Sequence, residues 1–404
     1  MNVLIIHQNF PGQFRYIASH FMKQPGTQLL AIGRATAPGL KGIKLIKYQP
    51  MRRPRPGTHP YVYSYENAVL HGQQVQRLLI RLKDQGYRPD VVLGHPGWGE
   101  TLFVKNVYPD VPLIHFCEYY YRSVGADAGF DPEFPSDLDT GPKITARNAL
   151  HLMNLEQCDA GITPTRWQHS LHPEAYKSKI HIAHEGIPTD ILSEDSKAEF
   201  VLPNGTVLRV GDQVVTYVAR NLEPYRGFHI FMRAVPHILK NNPNSTIVIV
   251  GGDGVSYGAK PKVYSSWKKQ MEAEHPTDMS RVHFLGTLPY DRYRALLQVS
   301  AAHVYLTYPF VLSWSLLEAM AIGCCVIASD TAPVKEVIES DVNGYLVDFF
   351  DFLELAGKVS SVLNDMAGQL SLRLAAKACA EKYSVINGVN EYKRIISAVA
   401  KVDI

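Results

Sequence analysis

The stretch VVTYVARNLEPYRGFHIFMRAVPHIL, residues 214–239, decides the fold. Its first five residues are β-branched or aromatic and predict a strand. ARNLEPYRG, with Pro224 and Gly227, breaks that pattern, and FHIFMRAVPHIL then repeats its apolar residues at helical spacing despite Pro236. Strand, loop and helix recur in this order along the chain. Further β-branched runs fall at 246–250, 282–285, 303–306 and 326–329, and an earlier set at 3–6, 28–32, 91–93, 113–116 and 161–163. Such alternation implies α/β architecture, parallel sheets with helices on both faces, and two sets imply two Rossmann-like domains. The pattern is interrupted near 188–212 by Pro188, the charged run SEDSKAE and LPNGT, with a hairpin turn at Asn204-Gly205. The expected organisation is a first domain over 1–190, a linker or hairpin over 191–212, a second domain over 213–385 and a last helix over 386–404, which one reading returns to the first domain. Ligands of such sheets bind beyond the carboxyl ends of the strands, so the expected site is a cleft between facing domains.

At 404 residues the chain is too long for one ordinary core, and 46% hydrophobic with 20% charged residues excludes a disordered or collagen-like chain. The five cysteines, Cys117, Cys158, Cys324, Cys325 and Cys379, form neither a disulfide framework nor a zinc pattern, which fits a reducing cytoplasm. MNVLIIHQNF reads as a first strand and not as a signal peptide. The apolar region 300–329 is cut by Pro309, Glu318 and Gly323, so no membrane span is expected. Residues 1–65 hold nine Lys or Arg and no acid; 41 less these nine leaves 32 basic against 38 acidic side chains elsewhere. That asymmetry suits an anionic membrane surface or a lipid-linked acceptor, or is a solvated basic face. Nucleic acid is disfavoured, since few aromatics interleave the basic residues before Tyr61, Tyr63 and Tyr65.

Arg220 and Arg226 stand in one strand-to-helix loop, where backbone N–H groups already favour phosphate, and two guanidinium groups there suit a diphosphate. STIVIVGGDG sets Gly251, Gly252 and Gly254 at a strand end, where backbone can approach a ligand closely. With Arg226-Gly227, the glycine turn, FLG at 284–286, LLEAMA at 316–321, VKEVI and NGYLV in order, the second half resembles the retaining family-4 glycosyltransferases of the GT-B fold. The resemblance implies sugar transfer from a nucleotide diphosphate sugar to an acceptor hydroxyl with retention, in polysaccharide or glycoconjugate synthesis, without a metal or other cofactor. It implies that Arg220 and Arg226 grip the diphosphate, that Glu318 accepts from the ribose hydroxyls, and that Gly252, the backbone from Gly286 to Leu288, and Ser313 and Ser315 serve the donor. Ser315 and Glu318 also fit a capping box, a purely structural alternative.

One departure touches the donor. Where the family has Glu-Gly-Phe-Gly against the donor sugar, this chain has Phe310, Val311, Leu312 and Ser313. An aromatic wall cannot accept from a hydroxyl, which points to a less polar sugar edge or to another side chain supplying the contact. An inactive nucleotide-sugar-binding subunit of a glycan assembly complex is the alternative reading.

In the first half, the resemblance places the Pro11-Gly12 turn at the acceptor side, with His7 and Gln13 beside it. His95, Trp98 and Glu100 in VVLGHPGWGE suit stacking and hydrogen bonding to a sugar, or form a plain turn with a packed Trp. The family's histidine near the reacting carbon lies six residues after a proline; six from Pro112 is Glu118. Strand alternation puts His115 on the face of Cys117 and opposite Glu118, so Glu118 is the expected catalytic residue and His115 a core histidine. Arg166, Glu185 and Gly186 are placed near the hinge, although Glu185 and Pro188 replace the usual Asn and Asp. The GxSxG run at 254–258, the Asp137-x-Asp139 pair and the pairs His169/His172 and His181/His184 lack the context of a hydrolase elbow or a metal site.

Overall fold

The computed structural model describes residues 1–275 and 278–401. The chain divides into two compact units, Met1–Gly186 with Val385–Ile404, and Ile187–Ser384. The far end of the predicted 386–404 segment, residues 402–404, lies outside the described residues.

The first unit is built on β1 (Asn2–Ile6), β2 (Gln28–Arg34), β3 (Lys44–Tyr48), β4 (Val91–Gly94), β5 (Leu113–Phe116), β6 (Ala160–Thr163) and β7 (Ile180–Ile182). All pair in parallel, in the order β3-β2-β1-β4-β5-β6-β7. The central strands are continuous apolar runs because helices cover both faces. On one face, Val3, Ile5, Leu93, Ile114 and Phe116 pack with Phe14 and Phe21; on the other, Leu4, Ile6, Val92 and Leu113 pack with Val75 and Leu79 of the helix Tyr63–Asp84. The last helix, Val385–Ala400, adds Val389, Tyr392, Ile395 and Ile396 to the first of these cores.

In the second unit, β8 (Glu199–Val201) and β9 (Val207–Arg209) form an antiparallel hairpin. The rest is a parallel sheet of β10 (Val214–Asn221), β11 (Thr246–Gly252), β12 (Val282–Phe284), β13 (Ala302–Tyr305), β14 (Val326–Ser329) and β15 (Tyr345–Val347), ordered β12-β11-β10-β13-β14-β15. The stretch 191–212, expected as a linker or hairpin, belongs to this unit and carries the β8–β9 hairpin. Phe200, Leu202 and Leu208 join Val214 and Val248 in one core, so the hairpin is held by apolar burial.

Candidate active site

In the first unit, β1, β4 and β5 are neighbours, and the polar residues at their carboxyl ends converge. His7 follows β1, His95 follows β4, and Glu118 lies two residues beyond β5. The Asn9 backbone N–H donates to His7 Nδ1 at 3.0 Å, so the His7 proton sits on Nε2 and donates to Gln13 Oε1 at 2.8 Å. This orients the Gln13 amide, whose Nε2 donates to Glu118 Oε1 at 2.7 Å. His95 is fixed in the same way: Gly97 N–H donates to its Nδ1 at 3.1 Å, which turns Nε2 toward Glu118 Oε2 at 3.4 Å, longer than a good hydrogen bond. Gly12 is required beside them, since its φ is +46° and a Cβ there would stand 2.3 Å from the His7 ring.

Burial opposes ionisation of Glu118, yet His95 and the Gln13 amide outweigh it and hold the carboxyl below its ordinary range. Its side chain remains 34% exposed. Burial, followed by the neighbouring His95, lowers His7 to about 3, so His7 is neutral. A cavity of about 70 Å³ adjoins this cluster, lined by His95, Trp98, His115, Glu118, Arg147 and His151 among others.

Several expectations change here. Trp98 lines the cavity, but one ring face is stacked on His95 at 4.2 Å between centroids. Glu100 is buried, accepts from the Tyr48 hydroxyl and the Gln8 amide, and has a carboxyl raised by burial; it serves the interior. His115 does not point away from Glu118: β5 ends at Phe116, strand alternation lapses there, and both residues line the cavity. Nor is His115 a satisfied core histidine, because among the described residues neither ring nitrogen meets a well-formed hydrogen-bond partner. Arg166 opens the short helix Arg166–Leu171 on the surface and is not among the residues lining the cavity. Glu185 is buried and Gly186 has φ +94°.

The second unit has its own cavity of about 70 Å³, at the carboxyl ends of β10 and β13. Arg220, Arg226, Ser313 and Ser315 line it with Glu223, Tyr257 and Tyr305. Arg220 is exposed, whereas Arg226 is 8% exposed, and its Nη1 donates to Thr307 Oγ1 at 2.8 Å, Val311 O at 3.1 Å and Tyr305 OH at 3.3 Å. These three partners are uncharged oxygens, so they hold the guanidinium in place without neutralising it. The helix Trp314–Ile322 begins at this cavity with Ser313 as its N-cap, and the positive end of its dipole favours an anion there. Gly227, at φ +65°, lets the loop close on β13, since a Cβ would stand 2.3 Å from that of Leu306.

Glu318 lies one turn and more into that helix and is 7% exposed. Its Oε1 accepts from Tyr290 OH at 2.9 Å and its Oε2 from Tyr293 OH at 3.0 Å. The capping-box alternative fails on geometry, because the N-cap is Ser313 and not Ser315. Gly252 closes β11 and Gly286 is exposed at φ +63°, while Leu288 packs against two apolar clusters of the unit. Gly252, Gly286, Leu288 and Glu318 are not among the residues lining the cavity. Phe310 is 6% exposed and does not line it either; it is packed behind Tyr257 at 4.9 Å and Tyr225 at 5.6 Å. Sequence reading missed Glu223 and Tyr257, whose places depend on contact between two loops.

Two arginines and a helix N-terminus thus share one cavity at the strand ends of this Rossmann-like unit. Residues 25–192 match the family described as glycosyl transferase family 4 group, and residues 203–381 match glycosyl transferases group 1. The chain is a GT-B glycosyltransferase of the family-4 group. An uncharacterized glycosyltransferase of Methanocaldococcus jannaschii is 29% identical over 84% of this chain and 83% of its own length. Spore coat protein SA of Bacillus subtilis is 27% identical over 38% of this chain, and the alignment spans about two fifths of that relative, 40%. Among solved structures, Anabaena HepE, in complex with UDP and glucose, superposes on the glycosyltransferase with a TM-score of 0.69 at 16% identity, covering 98% of this chain and all of that one. No helix among the described residues of the glycosyltransferase is long and apolar enough to cross a membrane.

Proposed function

We propose that the glycosyltransferase takes a nucleotide diphosphate sugar as donor, with Arg220, Arg226 and the N-terminus of the helix Trp314–Ile322 on the diphosphate. The observation that carries this reading is the shared cavity: an exposed and a buried guanidinium with two serines of a helix start around one volume. The leaving group is a diphosphate, and charge grows on it as the bond to the anomeric carbon breaks. Fixed cations are then worth most in the transition state, the task a divalent metal performs elsewhere. Glu318, held by two tyrosyl hydroxyls, is an acceptor-only carboxylate of the kind that suits a ribose diol.

In this reading the acceptor oxygen attacks the anomeric carbon on the face the diphosphate leaves. The bond from carbon to diphosphate oxygen breaks, a new bond from carbon to acceptor oxygen forms, and the departing phosphate oxygen takes the hydroxyl proton. The configuration is retained. Glu118 is an acceptor-only carboxylate and serves as the catalytic residue that aligns a sugar hydroxyl at the reacting centre, while His95, Trp98 and Gly12 shape the acceptor side. Polysaccharide or glycoconjugate synthesis in the cytoplasm suits such a reaction. The test is release of nucleoside diphosphate and transfer of sugar from UDP-, GDP-, ADP- and dTDP-sugars, with the anomeric configuration of the product read by NMR. Inversion, or no turnover with any of these donors and a range of glycan acceptors, would overturn the reading.

A lipid-linked acceptor on an anionic leaflet is favoured by the exposed Lys44 and Lys47 on the edge strand β3 and by exposed Arg53 and Arg55, next to Met51 at 80% exposure. Arg52 contributes less, being paired with Glu66 at 2.7 Å. About 1 kcal/mol per basic residue near such a surface gives reversible attachment. Co-sedimentation with liposomes should rise with anionic lipid and fall with salt; indifference to both would point to a water-soluble acceptor.

A further inference from the structure

Glu223 is 1% exposed, and its carboxylate receives three consecutive backbone N–H groups. Oε1 accepts from Ser256 N at 2.9 Å, and Oε2 from Tyr257 N at 3.2 Å and Gly258 N at 3.0 Å. Asn221 Nδ2 adds a bond to Ser256 Oγ at 2.7 Å, so the loop after β11 is fastened to the loop after β10 at both ends of this turn. An ionised carboxylate accepting several backbone N–H bonds is among the firmer ways to fix a loop.

The fastened turn sets the Tyr257 ring within 5.4 Å of the Arg226 guanidinium carbon and 4.9 Å from Phe310. Tyr257 lines the cavity of the two arginines and is 38% exposed, whereas Phe310 is buried behind it. The surface that meets whatever extends from a diphosphate bound to Arg226 therefore belongs to Tyr257, not to the residue aligned with the family's carboxylate.

We propose that Tyr257 is the donor-sugar contact of this glycosyltransferase, offering an aromatic face to the pyranose ring, and that Glu223 is the positioning residue that holds it there. The class of ligand is the hexose of a nucleotide diphosphate sugar, recognised through the apolar C–H face that hexoses share more than through a single hydroxyl. The inference rests on the donor reading of this cavity.

Isothermal titration separates the two. Wild type, Tyr257→Ala, Tyr257→Phe and Glu223→Gln are each titrated with UDP, GDP, ADP and dTDP and with the glucose conjugate of each. For the base that wild type binds, the ratio of the conjugate Kd to the diphosphate Kd should rise about tenfold in Tyr257→Ala and in Glu223→Gln, with Tyr257→Phe lying nearer wild type because the ring is kept. An unchanged ratio in Tyr257→Ala overturns this inference while diphosphate binding leaves the donor reading standing. If wild type binds none of the four diphosphates, the donor reading falls and the inference with it. Should Glu223→Gln fail to fold, Tyr257→Ala, at a partly exposed position, still decides the sugar contact.

Discussion

Gln13 donates a 2.7 Å hydrogen bond to the carboxylate of Glu118 across 105 residues of sequence. The amide can face only this way, because its oxygen receives the Nε2 proton of His7, whose other nitrogen is occupied by the Asn9 backbone. Glu118 is thus held from the β1 end by Gln13 and approached from the β4 end by His95. Removing the amide with Gln13→Leu deletes one of the interactions that keep the carboxyl low, so its pKa rises. The acid limb of the pH profile of kcat/KM should move to higher pH, and kcat should fall more than donor KM rises. An unmoved limb in Gln13→Leu, with Glu118→Gln inactive, would mean that the amide has no part in setting the carboxylate.

Acid should weaken the fold through His115. Burial first, with His95 and Lys179 adding to it, lowers this ring to about 3 from the ordinary 6.5. Between those values the unfolded chain binds a proton that the folded chain does not, so stability falls as pH drops below about 6.5, by up to about 1.4 kcal/mol per pH unit for one proton. Denaturant unfolding at two pH values should show that His115→Asn loses up to about 2 kcal/mol less than wild type between about pH 7 and 5. An equal loss in both proteins would put the acid sensitivity elsewhere.

Ser313 and Ser315 give different outcomes in the second unit. Ser313 is the N-cap of the helix Trp314–Ile322, with its hydroxyl accepting from Ser315 N. Ser313→Ala should cost about 1 kcal/mol of stability, while Ser315→Ala leaves the cap intact. Tyr293→Phe strips one of the two hydroxyl donors from buried Glu318 and should both lower the melting temperature and raise donor KM. A Tyr293→Phe protein with an unchanged KM would indicate that Glu318 does not touch the donor.

Much of the fold was legible because buried parallel strands such as 3–6 and 246–250 are unbroken runs rich in β-branched residues. The strands missed are short, at edges, or both. Lys44–Tyr48 sets two exposed lysines among apolar residues at the sheet edge, and Tyr345–Val347 is three residues long at the margin of the other sheet. The hairpin at 199–209 is legible from its Asn204-Gly205 turn, but its burial is not, since nothing local reveals that Phe200 and Leu208 are core. At the candidate site, residues marked by a motif, Arg220, Arg226 and Ser313, do share a cavity. Residues whose roles depend on non-local contact were misplaced or missed. Phe310 has the right sequence position but lies behind Tyr257, whose backbone N–H is bound by a carboxylate 34 residues away. Gln13 and His7 were named with no partner, for the same reason.

On the proposed reading, Arg220 and Arg226 hold the donor diphosphate while the leaving bond breaks. Its most direct measurement is kcat/KM for the donor in wild type, Arg220→Ala and Arg226→Ala, with circular dichroism confirming that each variant is folded. Truncating one partner of a desolvated charge pair costs about 2 to 5 kcal/mol, so a loss of that order is expected in Arg226→Ala, with a marked but smaller loss at the more exposed Arg220. Wild-type kcat/KM in both folded variants would contradict it.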